Sequence, residues 1–278
     1  MATIFVMASC QKQPKTTKRE NISASQTSNS SIELDLNKLN EKGGLPLEVK
    51  VSLKYDHFFK TAKTYRAYPL KALLEPYIQQ LQIDENSASD AIVTFICTDG
   101  YKPTLQLNKL LAAKGFIAFC DVDLPDKDQC WPDSLKTKFP PFYLVWQNVP
   151  LEDETFPWPY GLVKIKIDKA NTVYDEIYPI NNERAIAGFN QFRNHCIKCH
   201  SINKIGGNVG PDFNYPKNIT DYWEVDNMWK YAKNPQSFRY NARMNPITSL
   251  TREEFDEIMV YLHYIRSVKP NIESGEKR

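Results

Sequence analysis

The run Cys-Ile-Lys-Cys-His at positions 196–200 constrains this chain more than any other feature of its sequence. The Cys-x-x-Cys-His spacing is the attachment signature of a c-type haem. Two thiols on one turn can each form a thioether with a vinyl group of the same porphyrin, and the adjacent imidazole then ligates the iron. The motif therefore predicts one covalent haem c, attached through Cys196 and Cys199, with His200 as the proximal iron ligand.

Two other kinds of site also use closely spaced cysteines. A structural zinc site needs a second pair of Cys or His ligands, and although His195 and His263 are available, the sequence holds no second close pair. A thioredoxin-like redox pair needs a βαβ context in which the motif opens a helix. We favour haem attachment over both alternatives.

Further residues around the motif share the pattern of one family. Gly188 and Phe192 lie one helical turn apart ahead of the motif, and a glycine-rich run that ends in Pro211 follows it. With these residues, the region 183–268 resembles the class I c-type cytochromes, which are all-α. The resemblance implies that Gly188 and Phe192 pack against the last helix. It also implies that the Pro211 carbonyl accepts a hydrogen bond from His200 and so orients the imidazole.

The same resemblance implies a methionine as the sixth iron ligand. Asn-Pro at 234–235 and Arg-Met-Asn-Pro at 243–246 resemble the segment that carries the distal methionine, which makes Met244 the expected ligand. The sequence departs from the family by placing Asn245 between this methionine and the proline. With both axial positions filled, the expected chemistry is one-electron transfer rather than turnover.

Other side chains could take the distal position. A methionine can instead fill a gap in the core, and bis-histidine ligation would lower the reduction potential. We expect His195 to face solvent. The competing ligands are Met228, Met259, His195 and His263.

The chain before this region has a different pattern. Short β-rich runs lie at 47–53, 91–97, 142–146 and 162–167, with helical patterns at 70–81 and 105–113. We therefore expect an α+β N-terminal domain over 45–167, followed by the all-α cytochrome c domain.

Parts of this N-terminal domain resemble the sulfite-oxidase-type scaffold that binds molybdopterin, and Cys97 lies roughly where that family has its molybdenum-ligating cysteine. The resemblance rests on residues 68–74, 95–101 and 142–146 and on the strand after Trp158. A pterin pyrophosphate needs clustered cationic groups, whereas this domain has only Arg66 as an arginine. We interpret it as a scaffold that binds a partner or positions the haem domain. The alternative is a fused haem–molybdenum dehydrogenase.

The two ends of the chain and the segment between its two domains have patterns typical of a signal, a tether, a linker and a tail. Residues 1–10 are apolar up to Cys10, as at the end of a lipoprotein signal, which predicts lipidation of Cys10; the alternative is a plain frayed terminus. We expect a polar tether over 11–44, a linker over 168–182 and a polar tail over 269–278. This organisation predicts an extracytoplasmic, periplasmic protein that contacts the membrane only through its lipid.

The charge and the composition of the chain limit which kinds of molecule it can bind. The chain has 35 basic and 33 acidic residues and a net charge of +2, which gives no electrostatic footprint for nucleic acid. No run of 18 or more apolar residues could cross a bilayer. We expect a redox partner protein, and an electron-transfer protein rather than a self-contained enzyme. A haem-based sensor is a third hypothesis.

Two features of the N-terminal domain stay open at this point. Cys120 and Cys130 could close a small disulfide loop in an oxidising compartment, or remain two thiols. His57, beside two phenylalanines, is expected to be a structural histidine rather than a ligand.

Overall fold

A computed structural model describes residues 30–150, 153, 155–170 and 172–268. Within these ranges, no helix is long and apolar enough to cross a membrane. The signal pattern that ends at Cys10 and the polar tail at 269–278 lie outside the described residues.

Among the residues that the structure describes, the N-terminal part forms an eight-stranded sheet with three α-helices, which agrees with the α+β expectation. The strand order is β2-β3-β6-β7-β8-β4-β5, every pair is antiparallel, and β1 also pairs with β8. The elements are β1 Ser31–Asp35, α1 Leu36–Glu41, β2 Val49–Leu53, β3 Lys63–Pro69, α2 Leu70–Gln80, β4 Ile92–Cys97, β5 Thr104–Gln106, α3 Leu107–Ala112, β6 Lys114–Asp121, β7 Phe142–Gln147 and β8 Tyr160–Asp168.

The long strand β8 holds this sheet together. Its beginning pairs with β7 through Tyr160 and Leu162, its later residues pair with β1, and its other edge pairs with β4. One strand thus joins two parts of the sheet, and the sheet curls around it. The four β-rich runs and the two helical patterns of the sequence are confirmed as β2, β4, β7, β8, α2 and α3.

The polar tether is shorter than the sequence analysis expects. Residues 31–41 were assigned to it, but they form β1 and α1. Leu34 and Leu36 are 3% and 0% exposed and belong to the core on the helical face of the sheet. The apolar alternation in β1 is only five residues long and is surrounded by polar residues, so it is recognisable only once β8 provides its partner.

The C-terminal part is helical, with a short hairpin. Its elements are α4 Glu183–His195, β9 Ser201–Ile202, β10 Ile205–Gly206, α5 Val225–Lys233 and α6 Arg252–Ile265. The helices α4 and α6 cross closely at Gly188, where a Cβ atom would lie 2.0 Å from the carbonyl oxygen of Glu257. Phe192 lies 5.7 Å from Tyr261 between ring centroids. The expected packing of Gly188 and Phe192 against the last helix is therefore confirmed.

The segment 168–182, expected to be a linker, instead packs into the C-terminal core. Tyr174 and Ile177 are 6% and 0% exposed and lie in the same apolar cluster as Phe189. The Tyr261 hydroxyl donates a hydrogen bond to the Ile177 carbonyl. Two apolar side chains in a polar stretch gave no periodic pattern, which is why the sequence did not indicate this packing.

The face of the sheet opposite α2 and α3 is closed by aromatic side chains around one buried carboxylate. Asp56 is 0% exposed and accepts hydrogen bonds from the hydroxyls of Tyr65 (2.9 Å) and Tyr143 (3.2 Å). It also accepts the backbone amides of Phe58 and Phe59 at 2.8 and 2.9 Å. A buried charge needs such a complete set of donors, so Asp56 organises this face.

The loop that covers this face is closed covalently. Cys120 and Cys130 form a disulfide, which decides between the two alternatives left open by the sequence. Trp131, the next residue, is 6% exposed and packs against Phe139 at 5.0 Å between ring centroids. His57 stacks on Trp158 at 5.7 Å, which fits a structural role.

We expect Asp56→Ala to destabilise the protein by about 3 kcal/mol or more, because it leaves two phenols and two amides buried without their acceptor. Urea unfolding of the full chain, followed by far-UV circular dichroism, measures this loss. Asp133→Ala is the control, since Asp133 is exposed and forms a surface ion pair with Lys136, and it should change the free energy of unfolding by about 0.5 kcal/mol at most. If Asp56→Ala unfolded at the same urea concentration as the wild type, the prediction would be contradicted.

Candidate functional site

The two motif cysteines lie on a single turn that continues α4. The amide of Cys196 donates to the Phe192 carbonyl at 2.8 Å, so the turn begins where the helix ends. The amides of Cys199 and His200 both donate to the Cys196 carbonyl, at 3.1 and 2.9 Å. This winding places both thiols and the imidazole on one short, rigid segment. The position of the segment follows from the packing of α4.

The glycine-rich run folds back over this turn. The amide of Gly207 donates to the carbonyl of Ile197 at 2.8 Å, and the amide of Gly210 donates to the carbonyl of Cys199 at 2.9 Å. A Cβ atom at Gly207 would lie 2.1 Å from the Lys198 carbonyl oxygen. The backbone can approach the turn this closely only without a side chain.

The imidazole of His200 is oriented by the end of the same run. Its Nδ1 atom lies 2.9 Å from the Pro211 carbonyl oxygen, where the ring nitrogen donates and the carbonyl accepts. Phe213 packs against the ring at 4.3 Å between centroids. Burial lowers the pKa of His200, which favours the neutral imidazole. With its proton held at Nδ1, the ring presents the lone pair of Nε2, which is the form that ligates a metal.

A polar cluster beyond Pro211, which the sequence analysis did not single out, holds this loop in place. Asp212 accepts the Ser201 hydroxyl at 2.8 Å and the Lys204 amide at 2.7 Å. Asn214 and Asn218, both 0% exposed, donate to the carbonyls of Ile265 and Leu262 at the end of α6, each at 3.0 Å. Asn214 also donates to the Val268 carbonyl beyond the helix at 2.7 Å. These side chains supply donors to carbonyls at the helix end. The only sequence signal was the density of Asp and Asn after the proline.

The two thiols are not paired in a disulfide. Burial raises the pKa of the Cys196 thiol to about 12 and is also the main cause that raises the pKa of Cys199. Redox pairs and zinc sites use thiolates, and burial disfavours the thiolate form of both cysteines. Among the described residues, no group of three or more His, Cys, Asp or Glu side chains is arranged to hold a metal ion. The donor set fits covalent haem attachment better than zinc.

Met244 lies on a well-anchored loop. The side-chain amide of Gln236 donates to the Met244 carbonyl at 3.0 Å, and the ammonium of Lys233 bonds three carbonyls of the same loop between Ile247 and Leu250. The Met244 side chain is half-buried against the C-terminal core. Part of this thioether is therefore exposed on an anchored loop beside the core.

The other candidates for the distal position are placed differently. Met228 and Met259 are 6% and 7% exposed and form part of the core of α5 and α6. His263 is exposed. The expectation that His195 faces solvent is wrong, because its side chain is only 15% exposed and its Nε2 lies 3.9 Å from a carboxylate oxygen of Glu254 on α6.

The N-terminal domain does not offer a fitting molybdopterin site. Cys97 is 5% exposed and packs in the apolar core, and burial raises the pKa of its thiol well above the usual range. Metal ligation uses the thiolate, which this environment disfavours. Arg66 is engaged by Glu48, with its Nη2 atom 2.9 Å from a carboxylate oxygen, and it lies over the ring of Phe119.

Comparison with known proteins identifies one region of the chain. Residues 185–266 match the Cytochrome c family model. Neither a curated protein nor a solved structure matches this chain. The C-terminal part is therefore a cytochrome c domain, which implies covalently bound haem c and haem-based electron transfer. The family match does not extend into the N-terminal sheet, whose resemblance to the sulfite-oxidase type has no support from it.

We expect Gly210→Ala to lower the covalent haem content severalfold. A Cβ atom at this position would lie 2.2 Å from Cε1 of His200, so the ring must turn away from the Pro211 carbonyl. Haem per polypeptide, measured from the pyridine haemochrome spectrum, reports the loss. Val209→Ala is the control, because Val209 is 44% exposed in the same loop, and it should keep the wild-type content. Equal haem content in Gly210→Ala would contradict the prediction.

Proposed function

We propose that this protein is a mono-haem c-type cytochrome that transfers single electrons outside the cytoplasm, as the haem module or partner of a larger oxidoreductase system. The observation that carries the proposal is the single turn that presents Cys196, Cys199 and His200 together, with the imidazole oriented by Pro211 at 2.9 Å. Haem, when bound, supplies a one-electron Fe(III)/Fe(II) couple.

Each residue of the site has a separate task in this proposal. Cys196 and Cys199 bind the porphyrin covalently, and His200 is the proximal ligand. The Pro211 carbonyl holds the proton on Nδ1 and thereby keeps Nε2 available to the iron. Met244 is the distal ligand, supported by its half-buried position on the loop that Lys233 anchors.

Ligation by two protein side chains would favour electron transfer over catalysis. If His200 and Met244 both held the iron, they would leave no position for a substrate or for oxygen. The turn that carries His200 and the loop that carries Met244 are both held by hydrogen bonds, which would keep the two ligands in place. A separate redox partner must then donate or accept the electron.

The proposed location follows from the N-terminal sequence. Lipidation of Cys10 would hold the protein on the periplasmic side of a membrane, with the polar residues that follow as a tether. Covalent haem attachment and the disulfide between Cys120 and Cys130 both suit an oxidising compartment.

Replacing both motif cysteines tests the attachment. Cys196→Ala with Cys199→Ala should yield protein without covalent haem after maturation in a cytochrome c-competent periplasm, because no thioether can form. Haem staining after denaturing electrophoresis measures this. Cys97→Ala, which removes a buried cysteine outside the motif, is the control and should retain the wild-type staining. Staining of the double variant would refute the attachment through these residues.

Replacing Met244 tests the distal ligand. Met244→Ala should leave the haem attached and abolish the methionine-to-iron charge-transfer band of the oxidised protein, because only the sixth ligand is lost. The near-infrared-edge absorption spectrum measures this band. Met228→Leu is the control, since Met228 is 6% exposed in the core, and the band should persist. If the band instead disappeared in Met228→Leu and persisted in Met244→Ala, the assignment would be wrong.

A further inference from the structure

The turn between β4 and β5 in the N-terminal domain lies directly on the motif turn of the cytochrome c domain. The amide of Lys102 donates to the Lys198 carbonyl at 2.9 Å, inside the Cys-x-x-Cys motif. The amide of Asn208 donates to the Gly100 carbonyl at 3.0 Å, from the glycine-rich run. These two backbone hydrogen bonds join the N-terminal sheet to both segments that form the haem-binding turn.

The contact requires a glycine on the N-terminal side. Gly100 has a φ of +90°, and a Cβ atom there would lie 1.8 Å from Oδ1 of Asn208. The turn therefore packs against the Asn208 side chain, and the Asn208 backbone carbonyl carbon lies 3.2 Å from the same Cβ position. The two backbone hydrogen bonds thus join the two domains at this turn.

The same turn brings a carboxylate towards the motif. Asp99 lies between the end of β4 and Gly100, whose carbonyl accepts the Asn208 amide, and its charge acts electrostatically at Cys199. Its Oδ1 accepts the amide of Tyr101 at 3.0 Å, which holds the carboxylate in the turn. Lys198, which stands between the two motif cysteines, carries the opposing charge. A fixed negative charge near a redox centre stabilises the more positive, oxidised form.

We propose that the N-terminal domain forms part of the redox site: its β4–β5 turn docks on the haem-binding turn, and the Asp99 carboxylate lowers the reduction potential there. This inference rests on the proposed function. Asp99 is a positioning residue in this account, because it acts through the field at Cys199 and not by touching a partner. The N-terminal sheet then has a role that requires no cofactor of its own.

The charge is tested with Asp99→Asn in the full-length holoprotein, because asparagine keeps the acceptor for the Tyr101 amide and removes only the charge. At a fixed applied potential, the Fe(II)/Fe(III) ratio should rise roughly threefold, as expected for one partly screened charge. That ratio corresponds to a shift of about 28 mV towards positive potential for a one-electron couple. Spectroelectrochemical titration measures it.

Two further variants test the result for Asp99, one as a matched control and one with the opposite expected shift. Asp84 lies in an exposed turn, where it accepts the Ser87 amide at 2.8 Å. This turn precedes β4 and Asp99 follows it, so the strand, about 20 Å long, separates the two carboxylates. Asp84→Asn should therefore leave the reduction potential unchanged. Lys198→Gln should shift the potential in the negative direction. A shift with Lys198→Gln but none with Asp99→Asn would overturn the inference and leave the proposed function standing. Absence of covalent haem from the wild type would overturn both.

The docking itself is tested by amide hydrogen exchange. In the wild-type holoprotein, the Lys102 and Asn208 amides should exchange slowly, and Gly100→Ala should remove this protection. Gly43→Ala is the control, because Gly43 also has a positive φ, of +64°, but nothing lies within 4 Å of its Cβ position. Fast exchange of both amides in the wild type would overturn the docking, whatever the potential.

Discussion

The close packing of α4 on α6 determines where the redox group can lie. Gly188 allows the two helices to approach until only a hydrogen atom fits between its Cα and the Glu257 carbonyl. The motif turn begins at the last residue of α4, so this contact sets the position of both thiols and the imidazole. Asn214 and Asn218 then bond the loop after Pro211 to the end of α6. The turn that carries the imidazole and the loop that orients it are therefore both positioned against α6.

The N-terminal sheet is attached to this helix pair at the site and not at a distance from it. The segment that connects the domains packs through Tyr174 and Ile177 into the C-terminal core, and the β4–β5 turn bonds the motif turn. A module that merely carried the haem domain would need neither contact. The charge and the shape of that turn are instead available to set the energy of the oxidised and reduced states.

The sequence predicted those features that depend on local spacing. The motif, the crossing at Gly188 and the strands with clean alternation needed only nearby residues. The sequence did not predict features that depend on contacts between residues far apart along the chain. β1 was assigned to a tether because its partner β8 lies far along the chain, and the domain contact at Gly100 depends on two segments meeting in space. The roles of Asp212 and Asn214 likewise depend on the end of α6, which no sequence pattern connects to them.

The central claim is that one haem is covalently bound and that it is the redox centre of the chain. The most direct test is a pyridine haemochrome spectrum with metal analysis of wild-type protein matured in a cytochrome c-competent periplasm. We expect a thioether-type spectrum with one iron and no molybdenum per chain. A protein without covalent haem would contradict the claim, and stoichiometric molybdenum beside the iron would make the N-terminal domain a second redox centre that the account does not contain.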